Sequence, residues 1–501
     1  MFINNLYENS KTNKIASIYN GQELSFKELW TKSESIGNYL LKNTEPNKII
    51  GIHGDKENEM LVCMFACIKT RHPYVCLPSY YPIDKINKII EDCKCEIVIN
   101  VSSDESIFKD INCKYINFNE IEDDYTKIDG NNYASKDDPI MIIYTSGTTG
   151  SPKGIVITYE NMLAKTKMAK EFMKSSICDN CRAINLSSYA FSASFSFTYY
   201  AMAIEGCTIY CIDRKDMADT KKLCDILLDI NPSLLACTPT LIDKLLSDER
   251  FNDNYFTDLR YTCLGGEPLH NDIARKYLNN FHHGVLLNGY GTSETTGSPL
   301  TYQISLNNIN NDFLYLPVGY ADNPYSYLID ENGKKISEGK GELIICAKTV
   351  SPGYLNNKDL TSKKFYFDHD NNWVYKTGDL MEIKDNRLYF VGRIDNQVKI
   401  GGNRIELEDV EANLKKVSII KNGVAVLQKG TINSIIGFIV LKDEYKDLKG
   451  IKAFLKIKEE MKKMVEPHMI PTKFIYLDEL PKNINNKIDR ALLNKQVNNL
   501  K

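Results

Sequence analysis

The stretch Ile142 to Gly154, IIYTSGTTGSPKG, restricts the fold of this chain more than any other. The residues Ile140 to Ile143, with Met141, are apolar and read as a buried strand. Thr145, Ser146, Gly147, Thr148, Thr149 and Gly150 follow, then Ser151, Pro152, Lys153 and Gly154. Glycines admit left-handed and tightly turned backbone, so successive N–H groups can converge on an anion. The hydroxyls add donors and Lys153 adds a positive charge, which is the chemistry of a phosphate loop. It is not a Walker A loop, because that spacing needs glycine directly before the lysine and Pro152 stands there. A P-loop kinase or ATPase is thereby excluded. Composition alone favours a plain surface loop.

Alternation around this stretch defines the fold class. Leu24 to Leu41 has helical spacing, Lys48 to His53 reads as a strand and Glu59 to Lys69 as a helix. Tyr74 to Leu77 (strand), Ile83 to Glu91 (helix) and Glu96 to Val101 (strand) continue the pattern, which argues for βαβ units and a mostly parallel sheet. A second alternating block runs from Thr158 to about Leu287. It contains the strand CRAINLSS, a helix over Phe195 to Gly206, and strands at Thr208 to Ile212 and Ser233 to Thr238. From about Tyr327 the chain turns β-rich: SYLID, ELIIC, WVYKTGDLMEIK and RLYFVG are separated by the turn signals ENGK, DNN and KDN. After Gly392 a compact α/β tail follows, with strands near Gly423 to Leu427 and Ile435 to Leu441 and a charged helix from about Lys446.

At 501 residues the chain exceeds one ordinary core. A net charge of −3 gives no reason to expect nucleic acid or an anionic membrane as a partner. The N-terminus lacks the apolar region of a signal peptide, and the best apolar run, Leu61 to Ile68, is too short to span a bilayer. The expectation is a cytoplasmic protein whose 14 cysteines are reduced and mostly buried. Cys178 and Cys181 form one CxxC with no second pair or nearby histidine to complete a zinc site.

Further motifs follow the loop in order. They are Gly265-Gly266-Glu267, Asn288-Gly289-Tyr290-Gly291-Thr292-Ser293-Glu294, Tyr375-Lys376-Thr377-Gly378-Asp379, Gly392-Arg393-Ile394-Asp395-Asn396-Gln397-Val398-Lys399, and Pro481 to Arg490 with Lys487. With IIYTSGTTGSPKG they resemble the signatures of the adenylate-forming (AMP-binding) enzymes: peptide-synthetase adenylation domains, acyl-CoA synthetases and luciferases. Within that family the chain most resembles stand-alone D-alanine–carrier protein ligases and peptide-synthetase adenylation domains, on HPYVCLP, LPVGYADN, SPGYL and PHMIPTKFIYLDELP. The likeness covers nearly the whole chain, which would end where a fused carrier domain begins.

The resemblance implies an α/β fold. A large N-terminal domain, 1–394, would hold parallel and mixed sheets flanked by helices plus a β-subdomain. A small mobile α+β domain, 395–501, would hinge at Asp395 and bring Gly401 and Gly402 to a thiol tunnel. It implies ATP and Mg2+ as cofactors. By the same likeness Thr145 to Thr149 and Lys153 hold phosphate, Gly266 and Glu267 line the nucleotide pocket with Asn288, Gly289 and Gly291, and Tyr290 packs on adenine. Ser293 bonds the α-phosphate, Glu294 holds Mg2+, Asp379 accepts from the ribose hydroxyls, Arg393 bonds ribose or phosphate, and Lys487 bridges the substrate carboxylate and the α-phosphate. Two residues depart from the usual motifs: Ser293 replaces threonine and keeps the hydroxyl, and Asn486 replaces a glycine.

A larger departure concerns the acid. Amino-acid-activating relatives read F-D-x-S where this chain reads Phe191-Ser192-Ala193-Ser194, so Ser192 replaces the aspartate that pairs with an α-ammonium. A buried ammonium without its carboxylate loses about 3–5 kcal/mol. The other pocket positions by alignment are Ala193, Ser196, Ala236, Thr262, Leu264, Gly289, Gly297 and Ser298, mostly small and neutral. They suggest an acid without an α-amino group, such as an aryl acid. A carboxylate elsewhere, Glu205 for instance, or a β-amino acid would change that reading. The expected partners are this small carboxylic acid and a carrier protein bearing phosphopantetheine, or CoA. D-alanine–carrier protein ligase, acyl-CoA synthetase and a non-catalytic carrier-binding relative are the alternatives; the last should lack Lys487, Glu294 or Asp379, and all three are present.

Overall fold

The computed structural model describes the chain except residues 1, 104–109, 146–151, 173–179, 204, 310–312, 314, 395–396, 431–432, 447, 449, 482–487 and 499–501. Phosphate-loop residues Ser146 to Gly150, the hinge Asp395, the lysine Lys487 and one cysteine of the CxxC, Cys178, lie outside the described residues. The chain divides into two units. The first comprises Met1–Ser79, Ile90–Ile143 and Gly154–Ile394, and the second Tyr80–Ile89, Tyr144–Lys153 and Asp395–Lys501.

The first alternating block builds a six-stranded sheet in the order Lys114–Asn117, Ile97–Asn100, Ile50–Gly54, Tyr74–Pro78, Pro139–Thr145 and Lys153–Thr158. Ile50–Gly54 and Tyr74–Pro78 are buried at every position and pair in parallel, which is why they read as continuous apolar runs. The helices between them start and stop on local signals. Phe26–Asn43 opens on Ser25, whose hydroxyl caps Glu28 while the Glu28 carboxylate returns to the Ser25 backbone.

The second block forms an eight-stranded sheet in the order Gly297–Ile304, Val285–Thr292, Tyr261–Gly265, Leu234–Cys237, Arg182–Asn185, Thr208–Cys211, Ile15–Tyr19 and Gln22–Ser25. Its six central strands run parallel and its two edge strands are antiparallel to their neighbours. A parallel sheet gathers all its strand C-termini on one side, so Cys237, Gly265 and Thr292 end on a common edge. The helix expected over Phe195 to Gly206 is a wide π-turn, Ser196–Met202, with Phe197 to Met202 all buried. Such windings recur at functional sites.

The β-rich stretch forms a third, antiparallel sheet of seven strands centred on Gly339–Ile345, Trp373–Lys384 and Arg387–Arg393. In the second unit Ile420–Gln428, Ser434–Leu441 and Lys473–Tyr476 make a three-stranded sheet, and Gln397–Ile400 pairs with Asn403–Glu406. The charged helix begins at Ile451 rather than Lys446, because Gly450 with φ 74° breaks the chain after the short turn Asp443–Tyr445. Among the described residues no helix is long and apolar enough to cross a membrane. The described cysteines are free thiols.

One buried carboxylate in the second unit makes stability depend on pH. Asp409 accepts from the Asn413 amide, and burial pushes its carboxyl up to about 6, with Glu466 adding and Lys85 opposing. The folded value lies above the ordinary 3.8, so the folded state holds a proton more tightly. That stabilisation is complete below about pH 4 and lost as pH rises through about 6. Asp409→Asn keeps an acceptor oxygen and is expected to raise stability to urea by about 1–3 kcal/mol at pH 8 and by almost nothing at pH 4. A loss of stability at pH 8 would contradict this assignment.

Candidate active site

The edge where the parallel strands end carries most of the residues singled out in the sequence. Strand Val285–Thr292 delivers Asn288, Gly289, Tyr290 and Gly291, then turns through Ser293–Thr295 and returns antiparallel as Gly297–Ile304. The reversal is tight. Thr296 has φ 53° and Gly297 φ 94°, and a Cβ on Gly291 would fall 1.7 Å from the Gly297 carbonyl oxygen, so position 291 admits only glycine.

Tyr290 is buried, and its hydroxyl donates to the Asp379 carboxylate. Arg393 donates to the other carboxylate oxygen at 2.7 Å. Asp379 and Arg393 face each other across adjacent strands, and their side chains are 1% and 8% exposed. Burial and the neighbouring carboxylate push the Tyr290 hydroxyl far above its usual range, so it remains a donor. Each Asp379 oxygen thus holds one protein donor, and a carboxylate has about four lone-pair sites. Capacity remains for two further donors, such as a pair of vicinal hydroxyls.

Glu294 is 1% exposed, and Tyr354 donates to its Oε1 at 2.8 Å. The turn that carries it is fastened from the loop before Tyr354: Ser351 N–H donates to the Glu294 carbonyl, and the Thr296 hydroxyl donates to the Thr349 carbonyl. Asn161, on helix Tyr159–Phe172, holds that loop through the Lys348 and Val350 carbonyls. Tyr354, Thr349 and Asn161 stand outside the site residues that the motifs single out. SPGYL around Tyr354 was visible as a motif, whereas the other two carry no local signal.

Asn288 is buried and donates to the Pro317 carbonyl, so it braces the strand. Glu267 accepts from the Thr240 hydroxyl at 2.6 Å and, more weakly, from its N–H at the start of helix Pro239–Leu245, and Gly266 is exposed with φ 82°. Ser293 lies 3.5 Å from Ser192, hydroxyl to hydroxyl. Thr145 is half-buried at the end of its strand. In the second unit the Lys153 ammonium sits 3.2 Å from Glu406, whose same oxygen accepts from Gln397.

Two of the expected acyl-pocket residues face away from the others. Side chains alternate along a strand, and Thr262 and Leu264 are fully buried while Tyr261, Cys263 and Gly265 are half-buried. Thr262 shares a hydrogen bond with Tyr277 at 2.6 Å, and Leu264 packs in the core with Leu235, Ile242 and Ile273. Register pairs Ala236 with Cys263 and Gly265 with Gly289, so Cys263 and Gly265 take the face expected of Thr262 and Leu264. A one-residue slip exchanges the two faces. Ser192, Ser196, Ala236, Gly297 and Ser298 are half-buried and Ala193 is exposed. The Cys263 sulfur would touch a Cβ on Gly289 at 3.3 Å, and the Ser298 hydroxyl would touch the same atom from its own strand.

A family model for the AMP-binding enzymes matches residues 7–355. The D-alanine–D-alanyl carrier protein ligase of Listeria monocytogenes serotype 4b is 32% identical over 493 residues, covering 96% of this chain and 95% of that protein. The ligase of the same name from Streptococcus pneumoniae is 31% identical over 506 residues, with the same two coverages. Among solved structures, a Vibrio cholerae adenylation domain in complex with glycyl-adenosine-5'-phosphate superposes with a TM-score of 0.84 at 18% identity, covering 99% of this chain and 97% of that one. The o-succinylbenzoate CoA synthetase of Bacillus subtilis superposes with a TM-score of 0.83 at 20% identity, covering 98% of each chain. The chain belongs to the AMP-binding enzyme family and is an adenylate-forming ligase.

The Asp379 cluster makes a stability prediction independent of activity. Arg393→Met leaves a buried carboxylate with Tyr290 as its remaining partner in the cluster and is expected to lower stability to urea, without nucleotide, by about 3–5 kcal/mol. The double variant Arg393→Met/Asp379→Leu is expected to recover part of the loss. Equal losses in the single and double variants would show that the pair is not coupled.

Proposed function

We propose that this chain condenses a small carboxylic acid with ATP, releasing pyrophosphate, and passes the acyl group from the acyl-adenylate to the phosphopantetheine thiol of a carrier protein, releasing AMP. The observation that carries the reading is the buried cluster Tyr290–Asp379–Arg393 on the same unit as the Tyr354-held Glu294. Asp379 has acceptor capacity for the two ribose hydroxyls, and Arg393 supplies a fixed cation beside it. Tyr290, fixed by its hydroxyl, offers an edge or face to the adenine. Ser293 is the hydroxyl donor for the α-phosphate. Glu294 fits Mg2+, a hard cation that takes one or two carboxylates plus phosphate oxygens, and such an ion would neutralise phosphate charge. The glycine-rich loop and Lys487 are assigned to the triphosphate and to the carboxylate–phosphate junction by their motifs. The domain boundary at Asp395 supports a rotation of 395–501 between the two half-reactions.

The full-length relatives act on D-alanine by name and support D-alanine as the acid and a carrier protein as the acceptor. One observation favours a second reading, an acid without an α-amino group: Ser192 stands where an ammonium would need its carboxylate. The relatives do not support an aryl acid in particular.

Acid-dependent ATP–pyrophosphate exchange tests the first half-reaction, and radiolabelled acid captured on a phosphopantetheinylated carrier, against the same carrier without the arm, tests the second. Lys487→Ala is expected to lower exchange by about 100-fold or more. Full exchange in that variant would remove the role given to Lys487, and transfer to free CoA in place of the carrier would change the acceptor.

A further inference from the structure

Lys165 stands one helical turn after Asn161 on Tyr159–Phe172, and none of the chemistry above uses it. It is 7% exposed. Among the described residues its ammonium has one hydrogen-bond partner, the Ser298 carbonyl at 3.2 Å, and no carboxylate in ion-pair range. An ammonium has three donors and no acceptor, so two N–H groups remain.

The other deeply buried lysines are satisfied. Lys69 pairs with Glu34 over the Trp30 ring, and Lys56 donates to the Leu186 and Ile212 carbonyls. Charged groups at such depth are ordinarily paired. Burial lowers the Lys165 pKa, with the Cys263 thiol opposing, so the lysine carries an unrelieved desolvation cost.

Around it stand Ser298, Gly297 and Ser192, positions assigned to the acyl pocket by alignment, and Cys263. A Cβ on Gly297 would lie 3.7 Å from the Lys165 ammonium and 3.7 Å from the Ser192 carbonyl oxygen. Since position 297 has no side chain, nothing from that residue stands between the ammonium and the Ser192 backbone. We propose that Lys165 is the specificity-determining cation of the acyl pocket, and that the acid it selects carries a second carboxylate at the end remote from the one adenylated. This rests on the adenylating reading of the site and extends its amine-free branch. Ser192 removes a negative charge and Lys165 supplies a positive one, which reverses the polarity that an α-ammonium requires. A second carboxylate would pair the buried charge and accept its two remaining donors. A neutral amide end could accept a bond but would leave the buried charge unpaired, and an ammonium would be repelled.

The test is pyrophosphate exchange on the intact chain with matched acids: succinic, glutaric and phthalic acids, the monoamide of each, and D-alanine. Wild type is expected to prefer at least one diacid over its monoamide by roughly 10- to 100-fold in kcat/KM, and Lys165→Met to bring that ratio to about one. Lys165→Arg, which keeps the cation should the methionine variant fold poorly, is expected to retain much of the preference. A wild-type preference for D-alanine or the monoamides, or the same ratio in wild type and Lys165→Met, overturns the proposal. Lys165 would then be a strut for the Ser298 carbonyl, and the exchange itself would leave the ligase reading standing. No exchange with any acid together with no binding of ATP by calorimetry would overturn the ligase reading and this inference with it.

Discussion

The Asp379 carboxylate is the point on which the first unit depends. Tyr290 reaches it from the eight-stranded mixed sheet, and Arg393 reaches it from the strand beside its own in the antiparallel sheet. A buried carboxylate is tolerable only when charged and hydrogen-bonding partners replace its water. Those partners come from two sheets that the sequence separates widely, so satisfying one charge also fixes the position of one sheet against the other within the unit. The carboxylate proposed to hold the ribose is therefore also a structural clamp.

A second constraint is the hairpin at Gly291–Gly297. It projects Glu294 and Ser293 from the end of a parallel strand and returns the chain as an antiparallel edge. The close approach at Gly291 and the positive φ at Thr296 and Gly297 make the reversal specific, and Tyr354, Thr349 and Asn161 fasten it from outside. The absence of a side chain at Gly297 has a second effect, because a Cβ there would stand 3.7 Å from both the Lys165 ammonium and the Ser192 carbonyl oxygen. The same glycine serves the backbone reversal and leaves room beside the Lys165 ammonium.

The strand Tyr261–Gly265 shows what a local pattern of residues leaves open. The strand itself, its parallel neighbours and its glycine-rich exit all follow from apolar runs bounded by turn residues. Its faces do not. A strand covered on both sides has no polar alternation to mark the accessible side, so Thr262 and Leu264 were as good candidates as Cys263 and Gly265 until register and burial separated them. Lys165 shows the same limit on a helix. Nothing within its own turn distinguishes it from Lys167 or Lys170, and its partner lies on a strand far along the chain.

The sequence by itself determined the class of chemistry and the order of elements. Both are written in short contiguous strings such as NGYGTSETT and YKTGD and in the local period of apolar residues, which act over a few neighbours. It also determined that Ser192 stands where a carboxylate is usual. The tertiary structure alone decided which side chains share a face, that Tyr290 and Arg393 divide the two oxygens of Asp379, and that the buried Lys165 ammonium meets the Ser298 carbonyl. Those are contacts between distant segments, set by sheet register and by the requirement that every buried charge find its partners in space, and no local pattern records them.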